Sequence, residues 1–119
     1  MQVGITSVDL SIALCRVGDD WQLLQEVSQL FLDSLPEMLE TIRRAIDDRS
    51  GPRLEMSAHS LKGSVSNFGA EAATAASYEL ELRGRQMNWD DVEAAYRELV
   101  NQMENLRPEL EDVIRRPAP

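Results

Sequence analysis

Across the last third of the chain, apolar residues fall at Val92, Tyr96, Leu99, Met103, Leu106, Leu110 and Val113, alternating steps of four and three. That spacing marks one stripe of a long α-helix. A helix with a single apolar face draws its stability from burying that face against other elements. Three further segments ask for the same partner. Leu23, Val27, Leu30, Phe31, Ser34, Leu35, Met38, Ile42, Ala45 and Ile46 share one helical face, and Leu54, Ala58, Leu61, Val65 and Phe68 share another. The segment after Gly69 is rich in small residues (Ala72, Ala73, Ala75, Ala76, Ser77), which permits close helix approach, with Tyr78, Leu80 and Leu82 adding bulk. Sustained period-two alternation and Asn-Gly or Asp-Gly hairpin turns are missing. The expected fold is all-α: an antiparallel four-helix bundle with a short extra N-terminal helix over one end.

Local signals set the expected boundaries. The short helix spans about Val8 to Val17, with Ser7 or Asp9 as N-cap and Gly18 as its stop. The second begins at Asp19-Asp20, where acids suit the positive helix end, and Pro36 is expected to kink or break it. Asp47 to Gly51 turns the chain, and Pro52 suits the first turn of the third helix, which ends at Gly69. The fourth runs from about Ala70 to Arg83. Gly84 to Asn88 makes the next connection, and Asn88 or Asp90 caps the fifth helix. Pro108 is expected to kink or fray its end, and Arg116-Pro117-Ala118-Pro119 reads as a linker or free end. The 119 residues form one domain, with a core over about 8–106 and a helix end and proline-containing tail over 107–119.

The formal charge is −9, with acids spread along every segment. Nucleic acid and anionic membranes are therefore unsuitable partners, because binding them needs a basic face. No apolar stretch approaches a membrane span, and the N-terminus lacks a basic-then-apolar signal pattern. The single Cys15 excludes an internal disulfide and fits a reducing setting. A cytoplasmic monomer is expected, with the possibility left open that a longer parent chain is membrane-anchored.

The only histidine and the only lysine lie three residues apart, in Ala58-His59-Ser60-Leu61-Lys62-Gly63. At ~100° per residue, His59 sits roughly 140° from the centre of its helix's apolar stripe and so faces solvent. A solvated imidazole is mostly neutral at pH 7, and a neutral imidazole can accept a transferred group without a second base. Lys62, one helical step away, lowers the energy of placing a phosphoryl group there. Gly63 costs ~1 kcal/mol inside a helix, and opposite the apolar stripe its use is clearance for an approaching partner. The residues one or two turns from His59 on the same helix, Glu55, Met56, Gly63, Ser66 and Asn67, are the expected docking contacts. Zinc would need three or four ligands, and only Glu55 is near enough along the helix to help. The pairs Asp19-Asp20, Asp47-Asp48 and Asp90-Asp91 fall at helix ends, where capping accounts for them. Arg43, Arg44, Arg49, Arg53, Arg83 and Arg85 gather at turns as solvated ends able to meet an acidic partner, and Trp21, Trp89 and the methionines are read as core or core edge.

The run Ala58-His59-Ser60-Leu61-Lys62-Gly63, followed after five residues by Gly69-Ala70, closely resembles the histidine-containing phosphotransfer (HPt) domain of bacterial phosphorelays. Leu30-Phe31-Leu32 through Pro36 to Arg43-Arg44-Ala45 is similar to the family's preceding helix, and Leu80-Glu81 to its Leu-Glu pair in the following one. The resemblance covers roughly Asp9 to Leu106. It implies a helical bundle whose exposed histidine takes a phosphoryl group from a receiver-domain aspartate and passes it to another. His59 would be the phosphoacceptor, Lys62 its charge partner, Gly63 the clearance residue and Gly69 the helix stop. The resemblance also implies no cofactor on this chain, with Mg²⁺ and the catalytic carboxylates supplied by the receiver. The partner is then a receiver domain of a response regulator or hybrid histidine kinase, and this domain is free-standing or part of such a kinase. It would not use ATP by itself.

Two rival readings use the same surface. One is a phosphorylation-independent adaptor that only holds a receiver; the other is the phosphoacceptor domain of a chemotaxis-type kinase. The histidine-presenting helices of ordinary sensor kinases fit less well, since Ser60-Leu61-Lys62-Gly63 stands where an acidic residue and an Arg-Thr-Pro-like run would follow.

Overall fold

The computed structural model describes residues 7–119; the first six, part of the expected domain and of the N-terminal reading, lie outside the described residues. Five helices follow one another: α1 (Leu10–Arg16), α2 (Trp21–Asp47), α3 (Gly51–Ser66), α4 (Glu71–Gln86) and α5 (Val92–Arg115), with no strand among the described residues. The all-α expectation is borne out. Helices α2 to α5 form a closed ring in which α2 meets α3 and α5, and α4 meets α3 and α5. Short turns between them make the four antiparallel.

The caps follow from the residues that start each helix. Asp9 accepts from Ile12 N, Asp20 from Leu23 N and Ser50 from Arg53 N, so α1, α2 and α3 each begin on an acid or hydroxyl side chain. Gly18 and Gly69 take the left-handed conformation (φ +64° and +62°) that glycine adopts without strain. Helix α5 departs from expectation. Neither Asn88 nor Asp90 is its N-cap; Asp91 is, at φ +53° and without a side-chain cap bond, while Asn88 Oδ1 accepts from Asp90 N.

Helix α1 closes one end of the ring. Asp9 N donates to the Phe68 carbonyl at the end of α3, and the Glu109 carboxylate of α5 accepts from Ser7 N and Val8 N. Neither helical proline interrupts its helix. Pro36 and Pro108 both lie on exposed faces, where the ring displaces no core side chain. The chain after α5 is not wholly free either: Trp21 Nε1 and Gln25 Nε2 donate to the Arg116 carbonyl, at 3.1 and 2.8 Å.

Two expectations are corrected. The stripe of α2 is rotated in its first half. Trp21, Leu24, Ser28, Phe31, Leu32 and Leu35 are buried, whereas Leu23 and Leu30 are exposed, Leu30 by 66%. That half of α2 is apolar on two adjoining faces, and its neighbours decide which is covered. Gly84, expected in a connection, lies buried inside α4. A Cβ there would stand 2.5 Å from Glu55 N and 2.7 Å from Gly51 O, both on α3. Gly51, itself buried, faces Gly84 O in the same way. Helices α3 and α4 therefore touch backbone to backbone at this end, which small side chains at Ala58, Ala73, Ala76 and Ser77 extend along the contact.

Gly84→Ala should destabilise the protein by about 1–3 kcal/mol, because backbone on α3 must move. Helix propensity alone predicts the opposite sign. Thermal unfolding decides: a raised Tm means the two backbones are not in contact.

Candidate phosphoacceptor site

His59 stands mid-way along α3, whose stripe of Leu54, Ala58, Leu61 and Val65 is fully buried and so holds the opposite face outward. The imidazole is 67% exposed. Its Nδ1 lies 3.2 Å from Oε1 of Glu81, a carboxylate on α4 that is only 3% exposed. Lys62 Nζ reaches the same oxygen at 2.8 Å and sits 4.8 Å from the centre of the Tyr78 ring. Arg85 holds the other oxygen, Oε2, at 2.9 Å, and also donates to Glu55 Oε2 at 2.8 Å.

One buried carboxylate thus receives three donors. Burial pushes the Glu81 carboxyl up, but hydrogen bonds and charge from Lys62 and His59 outweigh it and hold the group below its usual range. An ionised carboxylate can only accept, so the hydrogen shared with His59 is on Nδ1. Nε2 then carries the free lone pair, on the side of the ring away from Glu81. Among the described residues no group of histidine, cysteine and carboxylate side chains is arranged to hold a metal ion.

The family model described as Hpt domain matches residues 26–112. The chain belongs to the Hpt domain family. The resemblance read from the His59 motif is borne out, and the five-helix bundle agrees with it. Comparisons with curated proteins and with solved structures gave no match.

Within this Hpt domain the residues singled out in sequence do not form one patch. His59, Lys62 and Glu55 meet around Glu81 and Arg85. Met56, 72% exposed, lines the hollow beside the imidazole with Pro52 and Glu55; it and Met87 (54% exposed) correct the reading of the methionines as core, which holds for Met103. Gly63 is exposed, and a Cβ there would meet nothing within 4 Å. Ser66 and Asn67 diverge. Ser66 donates to the Gly63 carbonyl and lines a groove with Lys62, Tyr78 and Ile12, whereas Asn67 lines another with Val27, Leu30 and Ser34 of α2. The six arginines gathered at the turns are engaged within the chain. Arg43 binds Glu93 at 2.6 and 2.7 Å and also Asp47, and those carboxylates hold its guanidinium above its ordinary value. Arg49 stacks on Trp89.

The sequence reading missed Glu81, Arg85 and Tyr78 as site residues. The four-residue spacing of Glu81 and Arg85 was a visible signal of a helical ion pair. That the pair lies beneath His59 depends on the α3–α4 contact.

Because Glu81 is held below its usual range, its charge stabilises the fold above the ordinary carboxylate value, and that contribution is lost as pH falls through the lowered one. Glu81→Gln should therefore cost about 1–3 kcal/mol at pH 7. The gap to the wild type should begin to narrow as the pH drops below about 4.5 and close only below the lowered value. Denaturant melts of both proteins from pH 7 to pH 3 check this. A gap that stays constant with pH would mean the negative charge is irrelevant.

Proposed function

We propose that this domain is a phosphohistidine carrier in a multi-step phosphorelay, with His59 Nε2 as the atom that accepts and returns the phosphoryl group. The observation supporting it is the pairing of an outward imidazole with an Nδ1 anchored on a buried carboxylate. Attack needs no proton removal, because Nε2 bears none. Its lone pair forms the N–P bond to an aspartyl phosphate of a receiver domain, while the acyl O–P bond breaks and its electron pair stays on the aspartate. The ring becomes a cation with its proton still on Nδ1, facing Glu81, whose negative charge lies 3.2 Å away. Transfer to a second receiver runs the same steps in reverse.

Lys62 is the charge partner in this reading. Its ammonium lies one helical step from His59 and is shared with Glu81 rather than locked into the core. Mg²⁺ and the acidic residues that hold it belong to the receiver, where they neutralise charge on the group in transit. Gly63 leaves the approach open. The partners are receiver domains of a response regulator or hybrid kinase, the compartment is the cytoplasm, and the domain acts as a monomer. No described helix is long and apolar enough to cross a membrane.

Mixing the domain with a phosphorylated receiver and Mg²⁺ tests the carrier role. The wild type should gain an acid-labile, alkali-stable phosphate, and His59→Gln should gain none while keeping its fold by circular dichroism. Binding by both proteins with transfer to neither would make the domain an adaptor instead. Gly63→Leu, whose Cβ would meet no atom within 4 Å, should gain up to about 1 kcal/mol of stability and lose receiver affinity. Undiminished binding in a titration would remove the clearance role.

A further inference from the structure

Arg85 touches two carboxylates on two helices. Its Nη2 donates to Glu81 Oε2 at 2.9 Å, one turn away on α4, and its Nε donates across to Glu55 Oε2 on α3 at 2.8 Å. Glu55 precedes His59 by four residues and is its neighbour on the helix surface. The hollow beside the imidazole is lined by Pro52, Glu55, Met56, Glu81 and Arg85. The charged and titratable groups around His59 are thus Glu55 and Lys62 from α3 and Glu81 and Arg85 from α4, with the Tyr78 ring against the Lys62 ammonium. Two acids and two bases balance, so the imidazole meets no net charge.

Removing Arg85 upsets that balance in two ways. Glu81 keeps its burial but loses the donor on Oε2, so its carboxylate is free to turn and Oε1 is no longer pinned toward Nδ1. Glu55 loses its cation and becomes an unpaired negative charge one helical turn from Nε2, where a doubly negative phosphoryl group has to arrive. Its carboxylate is also free to compete for the imidazole N–H.

We propose that Arg85 is a positioning residue for phosphoryl acceptance: it holds Glu81 so that one oxygen is presented to His59, and it draws Glu55 away from the path of the phosphoryl group. The proposal rests on His59 as phosphoacceptor, but the tautomer half of its test does not. The guanidinium suits this task because its planar fork serves two carboxylates at once, which a lysine ammonium does less well.

The test uses the whole chain with Arg85→Ala, Arg85→Lys and the double variant Glu55→Gln/Arg85→Ala, each checked for folding by thermal melt. Nitrogen NMR of the single histidine reads the tautomer. Phosphoramidate, whose P–N bond breaks to release ammonia with the electron pair as Nε2 takes the phosphoryl group, reads the rate without any docking partner. The wild type should show one tautomer, with the proton on Nδ1. Arg85→Ala should show a mixture and a rate lower by roughly fivefold, the scale of one lost ion pair at a half-exposed site. Glu55→Gln should restore part of the rate in that background without restoring the tautomer, and Arg85→Lys should fall between. A folded Arg85→Ala protein with the wild-type tautomer overturns the proposal whatever its rate, and Arg85→Lys gives the same reading if the alanine variant does not fold. If phosphoramidate labels no variant while Arg85→Ala still scrambles the tautomer, the carrier reading fails and the positioning role stands.

Discussion

The backbone contact between α3 and α4 governs the rest of this molecule. Gly51 and Gly84 face each other where the two helices touch, and neither position has room for a Cβ. Close approach places the surface of α4 directly beneath that of α3. Glu81, one turn before Gly84, then lies under His59 and Lys62 instead of a full side chain's width away. A wider interhelical gap would leave the same residues on the same helices with no shared carboxylate.

That geometry turns a lone surface histidine into an oriented one. An isolated imidazole on a helix exchanges tautomers and rotates freely, so only part of its population offers Nε2. A buried acceptor facing Nδ1 favours the tautomer with its proton there and one orientation of the ring. The acceptor tolerates burial because cations approach both of its oxygens. Without them a charged group this enclosed would take up a proton. The ion pairs here are therefore less a source of stability than a condition for keeping a negative charge in place.

The surface beyond the imidazole is divided by the ring of helices. Gly63 leaves α3 bare, Met56 stands beside the hollow near Arg85, and Leu30 of α2 is exposed above the groove reached by Asn67. Most of the charge of this acidic chain lies elsewhere, much of it tied into local pairs such as Arg43 with Glu93 and Asp47.

The sequence by itself determined the helices, their order and the solvent-facing histidine, because these follow from periods of three and four and from local caps. The α5 stripe from Val92 to Val113 is buried apart from the half-buried Tyr96, and Asp9 and Asp20 cap the helices that follow them. The His59 motif was legible for the same reason: its residues share one helix. What spans two helices was not legible. Gly84 near a helix end reads as a stop, and only the neighbouring α3 backbone shows that it is a point of contact. Leu23 and Leu30 belong to an apolar face as good as the buried one, and packing against α3 and α5 decided which face water keeps. Glu81 and Arg85 could be paired from their spacing, but their role beneath His59 could not. A helix's periodicity records which side is apolar; the distance and rotation between helices come from the shapes that meet, and tertiary structure alone sets them.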